Sequence, residues 1–244
     1  MPSLEPYKAE LDYSYAPGIF PSMECLLARP SAVRRLLVHS AAAGREGVGK
    51  LIALAEEHHI RVEEADRALS RISGKDNCYA AAVFEKFSDT PDAGKPHVVL
   101  HHPGDSGNVG TILRTALGLG IGDMALIRPC VDVFDPRTVR ASMGSLFRMR
   151  VRVYDTFEEY RAEYPERMLY PFMLDASVPL GSIKEIPEVY SLVFGNEGSG
   201  LPKEFAEYGQ AVRIESNDQV DSLNLAIAAG IGIYYFRGKS AAAG

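Results

Sequence analysis

Cysteine is scarce in this chain of 244 residues: Cys25, Cys78 and Cys130 are far apart and odd in number. That count argues against a disulfide framework, and without a Cys-x-x-Cys pair there is no scaffold for structural zinc. The thiols suit a reducing, cytoplasmic setting. Long apolar runs are missing too. The longest, residues 225–236, is too short and too rich in Gly and Ala to span a bilayer. The N-terminus lacks a charged start followed by an apolar core, so no secretory signal is expected. There is no Gly-x-Gly-x-x-Gly fingerprint and no Gly-Lys-Ser/Thr phosphate loop. Gly118, Gly120 and Gly122 close an expected helix instead of opening one, which weighs against a nucleotide-dependent oxidoreductase.

Net positive charge is absent as well. The balance of −6 weighs against a nucleic-acid partner taken over the whole chain. Its distribution is uneven. No acidic residue lies between Asp135 and Asp155, where Arg137, Arg140, Arg148, Arg150 and Arg152 are found. The stretch Arg148-Met149-Arg150-Val151-Arg152-Val153 alternates strictly, so a strand there carries three guanidinium groups on one face. Such a strand is either a sheet edge blunted by charge or a stripe that contacts phosphates.

What is present is a chain that is 46% hydrophobic, enough for one large or two modest domains. The run Ser88-Asp89-Thr90-Pro91-Asp92-Ala93-Gly94-Lys95-Pro96 is dense in turn formers and reads as a linker. Before it, helix and strand patterns alternate: helix at 23–29, strand at 36–38, helix at 48–59, strand at 60–62, helix at 66–73 and strand at 79–84; residues 1–20 show no clear period. After it come strands at 98–100, 124–127, 148–153, 169–174, 192–194 and 212–214, and helices at 108–119, 136–143, 157–164 and 222–236. This spacing predicts an α/β protein with a mostly parallel sheet covered on both faces. The domains expected are residues 1–90, a linker at 91–96, and residues 97–244.

Three short motifs stand out, each polar amid apolar surroundings and each where a strand hands over to a loop or helix. The first is Asn108-Val109-Gly110-Thr111-Ile112-Leu113-Arg114-Thr115-Ala116. Asn108 suits the N-cap of the helix; Val109, Ile112, Leu113, Ala116 and Leu117 form its buried stripe; Gly110 and Arg114 share another face. Arg114 is a surface arginine unless that face meets a ligand. The second is Phe194-Gly195-Asn196-Glu197-Gly198-Ser199-Gly200-Leu201, a glycine loop whose backbone a ligand approaches closely; Glu197 either caps a turn or serves that ligand. The third is Asp221-Ser222-Leu223-Asn224-Leu225. Ser222 is a natural N-cap for a helix that is apolar nearly all round, which belongs in the core or in a subunit interface. The pairs His58-His59 and His101-His102 have no carboxylate at ligand spacing, so no metal is expected; the second pair lies in the first-motif loop.

In this order the motifs resemble the signature of the SpoU/TrmH family of RNA ribose methyltransferases, within the knotted SPOUT class, over residues 96–238. Asn108, Gly110, Arg114 and Ala116 match its first motif, Asn196-Glu197-Gly198 with Gly200-Leu201 its second, and Ser222-Leu223-Asn224 with Ala228-Ala229-Gly230 its third. Ser142-Met143-Gly144-Ser145 resembles the small-residue turn between them. The family has an Ile-Pro pair where this chain reads Ile214-Glu215. Residues 20–88 resemble the small L30e-type substrate-binding domain, with Asn77-Cys78-Tyr79-Ala80 in place of the usual Gln-Gly pair.

The resemblance implies a Rossmann-like sheet with a deep trefoil knot behind an L30e-like domain, S-adenosylmethionine as methyl donor, and a homodimer through the C-terminal domain. It places the cofactor at Gly195, Asn196, Gly198, Ile214, Leu223 and Asn224. It implies methylation of a ribose 2′-hydroxyl, with Arg114, possessed of a planar fork of donors, as the group that acts on the hydroxyl and Asn108, Glu197, Ser222 and Asn224 holding Arg114 and the ribose. Arginine stays protonated at ordinary pH, so orientation suits Arg114 better than base catalysis. Ribosomal RNA is the first expected substrate and transfer RNA the second. A catalytically silent RNA-binding dimer is the competing class, and the intact Asn108, Arg114, Glu197 and Asn224 argue against it.

Overall fold

Two units, each with its own sheet, divide the chain: Met1–Phe87 with Asp132–Arg148, and Ser88–Val131 with Met149–Gly244. The computed structural model describes residues 5–42, 44–73, 78–217 and 219–242. Asn77, part of the N-terminal resemblance, lies outside them. In chain order the elements are β1 (Tyr13–Pro17), α1 (Ile19–Ala28), β2 (Val33–Val38), α2 (Glu46–Glu57), β3 (Val62–Glu64), α3 (Asp66–Ser73), β4 (Ala80–Glu85), β5 (His97–His101), α4 (Ser106–Gly118), β6 (Asp123–Ile127), α5 (Pro136–Ala141), β7 (Arg150–Tyr154), α6 (Phe157–Glu163), β8 (Met168–Pro171), β9 (Val178–Pro179), β10 (Tyr190–Phe194), β11 (Val212–Arg213) and α7 (Leu225–Ala242).

The first unit holds a mixed sheet in the order β1-β4-β2-β3. β4 is antiparallel to β1 and β2, and β3 runs parallel to β2. β1 falls where the sequence showed no period. α5 packs on β1. Residues 132–148 therefore belong with the N-terminal elements, a division that a single cut at 91–96 does not make. The Ser14 hydroxyl donates to the Phe134 carbonyl, Lys86 pairs with Asp132 at 3.4 Å, and Arg29 donates to the Phe147 carbonyl at 2.9 Å. All these partners are far apart in sequence, which is why alternation alone does not reveal the grouping.

The second unit holds a five-stranded sheet in the order β7-β6-β5-β10-β8, every neighbouring pair parallel. Its central strands β5, β6 and β10 are buried along their whole length, as a parallel sheet covered on both faces requires. From β5 the chain crosses to β6 on one side, while β10 sits on the other. The reversal between β5 and β10 is a topological switch point, and ligands in open α/β sheets bind beyond the strand ends there. Two of the three motifs follow these two strands.

The segment before β5 is bonded along its length to this unit. The Asp92 N–H donates to Asp123 Oδ1 at 2.8 Å, the Tyr164 hydroxyl to the Pro91 carbonyl at 2.8 Å, and Arg167 to the Ala93 carbonyl at 2.9 Å and to the Lys95 carbonyl. Arg167 is 8% exposed and also donates to Ser191 Oγ and the Tyr190 carbonyl. Ser191 Oγ in turn bonds the Tyr160 hydroxyl, which meets His97 Nδ1 at 2.9 Å. This buried cation thus donates to four oxygens.

The arginine-rich stretch is the edge of the sheet, not a free stripe. β7 is an outer strand. Arg150 grips Asp123 with both ends of its fork at 2.6 and 2.7 Å, Arg152 pairs with Glu163 at 2.9 Å, and Arg148, in a short 3-10 turn before the strand, pairs with Glu24. These carboxylates neutralise the groups a phosphate would need. No helix among the described residues is long and apolar enough to cross a membrane, and no group of three His, Cys, Asp or Glu among them is placed to hold a metal.

Candidate active site

A hydrogen-bonded chain of side chains ties the three motifs together. Asn224 Nδ2 donates to Asn108 Oδ1 at 3.0 Å, and Asn108 Nδ2 donates to Glu197 Oε1 at 3.1 Å. Glu197 also accepts the N–H of Gly104 at 3.0 Å and of Asp105 at 3.1 Å. Burial raises the pKa of this carboxyl, but the bonds from Gly104, Asn108 and Asp105 outweigh it and hold the group below the usual carboxylate range. Glu197 is therefore an ionised staple that joins the loop after β10 to the loop after β5.

Local chemistry sets each residue in this chain. α4 begins at Ser106, two residues before the expected start, and its cap is Asp105, whose side chain accepts the Asn108 N–H at 2.7 Å. Asn108 is freed from capping, and its amide points to Glu197 and Asn224. α7 begins at Leu225, three residues later than expected, and its cap is Asn224, whose Oδ1 accepts the N–H groups of Ala226 at 2.9 Å and Ile227 at 3.3 Å. Ser222 is not the cap; it lies in the exposed loop before it. Asn196 has a building role. Its Oδ1 accepts the Gly198 N–H at 2.8 Å and the Ser199 N–H at 3.2 Å, and its Nδ2 donates to the His102 carbonyl at 2.8 Å. Gly195 is compelled by space: a Cβ there would collide with the backbone of Gly200 and Leu201.

Beside this chain lies a cleft open to solvent. Gly195, Asn196, Gly198, Ile214 and Leu223 line it, together with Glu197 and Ser222. Five of the six residues expected to hold the cofactor share this cleft; Asn224 stands behind it as the cap. Its apolar wall consists of Phe172, Met173, Leu174, Phe194, Leu225 and Ala228. The Phe172 ring stacks on Phe194 at 4.4 Å, and Gly232 of α7 leaves room for that pair. Leu174 is 62% exposed although it is apolar. The segment 172–174 was missed in the sequence, where it reads as the tail of a buried strand. Asp105 was missed as well, although Asp105-Ser106-Gly107-Asn108 offers two competent caps.

Arg114 is not in the cleft. It is exposed on α4, six residues beyond Asn108, hence about 9 Å along the axis and about 120° round it. α4 crosses α7 beside it, where the space over Gly230 is taken by Thr115 at 3.7 Å. Within one chain α7 is not buried all round: Ile227, Ile231 and Tyr234 are 56%, 39% and 70% exposed at helical spacing, so of the two expected places, core or subunit interface, the core does not hold for this stripe. Thr115 and Gly230, which mark this contact, are the sequence neighbours of Arg114 and Ile231.

Comparison with known proteins gives one consistent result. The model of the SpoU rRNA Methylase family matches residues 95–234. The chain is similar to a 23S rRNA (adenosine(1067)-2′-O)-methyltransferase of Streptomyces laurentii, 29% identical over 76% of this chain and 73% of that protein. It is 30% identical to a Synechocystis protein named as an uncharacterized tRNA/rRNA methyltransferase, over 80% of this chain and 72% of the other. Among solved structures, an AdoMet-bound rRNA methyltransferase from Sinorhizobium meliloti superposes with a TM-score of 0.79 at 28% identity, covering 93% of this chain and 87% of that one.

Proposed function

The chain belongs to the SpoU rRNA methylase family, and we propose on that premise that it transfers a methyl group from S-adenosylmethionine to a ribose 2′-hydroxyl of ribosomal RNA. The observation that carries the reading is the chain Asn224–Asn108–Glu197, which joins the three motifs at the edge of a cleft. Two curated relatives whose names give an RNA position are 23S rRNA enzymes, one of them matched over 76% of this chain; the solved structure concerned with C/U34 of tRNA matches over 62%, and the wider match favours ribosomal RNA over transfer RNA. A cytoplasmic place of action goes with it.

The cleft fits the donor. An adenosyl group is a flat apolar body with polar edges, and the apolar wall here is set against main chain at 195–200, Ile214 and Leu223. Gly195, Gly198, Ile214 and Leu223 would hold the nucleoside, with Asn196 fixing the loop and Asn224 fixing the start of α7. When bound, S-adenosylmethionine supplies an activated sulfonium methyl, so the protein's task is to align donor and acceptor.

The residues of this chain would divide that task. Glu197, kept ionised, holds the 104–105 backbone and the Asn108 amide in one geometry. Ser222 offers a hydroxyl at the cleft. Arg114 supplies a guanidinium fork that orients the ribose hydroxyl and its neighbouring phosphate. It does so from the partner of a homodimer formed through α4 and α7; the exposed stripe Ile227, Ile231 and Tyr234 beside it supports that interface. A trefoil knot is part of this reading, supported by the absence of space for a side chain at Gly195. The first unit is read as an L30e-like domain that binds RNA; its exposed Arg45 lies over the Tyr79 ring at 3.8 Å, a pair suited to bases.

Transfer of tritium from labelled S-adenosylmethionine to protein-free rRNA tests the function. Incorporation above a heat-killed control is expected; binding of donor and rRNA with no incorporation would favour the silent RNA-binding dimer.

A further inference from the structure

We infer that a groove beside the donor cleft binds a nucleobase of the RNA substrate, stacked on His102, next to the ribose that receives the methyl group. This rests on the methyltransferase reading above.

The groove is lined by His102, Pro103, Pro129 and Cys130, and by Asn196 and Ser199, which also line the donor cleft. The 196–199 loop thus has the donor cleft on one side and this groove on the other. An acceptor ribose has to meet the donor without occupying its cleft, and the groove is the adjoining space.

His102 is built as a platform. Its φ is +58°, a left-handed conformation uncommon outside glycine. Two backbone bonds fix it there: its N–H donates to the Ile127 carbonyl at 3.1 Å, and its carbonyl accepts from Asn196 Nδ2 at 2.8 Å. Its ring stacks on His101, with centroids 3.6 Å apart and planes 26° from parallel. The His101 ring rests edge-on against Phe205 at 4.9 Å, and Phe205 packs on Phe157 at 4.5 Å. Burial, aided by His102, depresses the His101 pKa to about 4, so the supporting ring is neutral near pH 7. The stack therefore has a rigid inner side, while His102 remains half-buried at the groove. Unpaired bases are held by stacking on aromatic or imidazole rings, and such contacts tolerate any base because each has a π-face.

The test compares His102→Asn, which tolerates the left-handed backbone without a stacking ring, with His102→Tyr, which restores a flat ring. Binding of deproteinised 16S and 23S rRNA is measured at fixed salt, donor binding by calorimetry, and methyl transfer by its KM and kcat for rRNA. His102→Asn is expected to weaken rRNA binding and raise KM about ten-fold, with donor affinity unchanged; His102→Tyr recovers most of the loss. Ultraviolet cross-linking of wild type to rRNA is expected to label the peptide containing His102. Equal rRNA affinity in wild type and His102→Asn, or an equal loss in donor affinity, overturns the inference. If wild type binds rRNA but transfers no methyl group, the proposed function fails while the binding comparison still decides the groove. If wild type binds no rRNA, both fail.

Discussion

Asn224 donates its side-chain amide to Asn108 across 116 positions of sequence, at 3.0 Å. Each of the two is held from its other side: Asn224 by capping α7, Asn108 by its bond to Glu197. The bond is the point at which the first and third motifs become one site.

Glu197→Gln should loosen that site. A glutamine oxygen accepts at one end only, so one or more of the Gly104, Asp105 and Asn108 donors loses its partner, a cost of about 1–3 kcal/mol. Thermal melting should fall by several degrees, and methyl transfer should drop more than about ten-fold. Glu197→Asp, with a shorter reach, should not restore either. A Glu197→Gln enzyme with wild-type turnover would exclude the staple role.

Arg114→Ala should behave differently. The side chain is exposed and makes no hydrogen bond or ion pair among the described residues, so melting temperature and donor affinity should stay at wild-type values. Turnover should fall by at least about a hundred-fold, and Arg114→Lys should rescue little because lysine lacks the planar fork. Calorimetry paired with tritium transfer separates the two readouts; unchanged turnover would remove Arg114 from the mechanism.

Ile231→Glu places a charge in the exposed stripe of α7. Sedimentation velocity should show a dimer in wild type and a monomer in the variant, with activity lost and the fold retained by circular dichroism. A wild-type monomer with full activity would refute the cross-protomer placement of Arg114.

Acidification should destabilise the second unit before carboxylates titrate. Burial, reinforced by Arg167, depresses the His97 pKa from 6.5 to about 4. A group with a lowered folded-state pKa binds protons more readily when unfolded, so its contribution is complete above about pH 6.5 and is lost progressively as pH falls towards 4. His101 shifts in the same direction, to about 4. Glu197, also lowered, adds its loss only below about pH 4.5. Melting temperature followed from pH 8 to 5 should decline, and His97→Gln should flatten part of that slope. An identical slope in the variant would show that His97 is not responsible.

Much of this was legible because the signals were local. The buried stripe of α4, the glycine loop after β10 and the apolar α7 are written in consecutive residues, and so the motifs could be placed at strand ends. Caps were misplaced because Asp105 and Asn108, or Ser222 and Asn224, are equally competent caps two or three residues apart; only the folded chain decides which one turns outward. Arg148, Arg150 and Arg152 looked free because their partners Glu24, Asp123 and Glu163 are 124, 27 and 11 positions away. Similarly, 132–148 carries no local mark of its packing on β1. The apolar wall at 172–174 was hidden for another reason: a buried strand and the rim of a ligand cleft use the same residues.

The central claim is that this cleft delivers a methyl group to a ribose oxygen of RNA. Nuclease digestion of rRNA treated with the enzyme and S-adenosylmethionine, followed by mass spectrometry of the nucleosides, tests it most directly. A single new nucleoside heavier by one methyl, with the added mass on the sugar fragment, is predicted. The added mass on a base fragment, or no modified nucleoside from any rRNA, would contradict it.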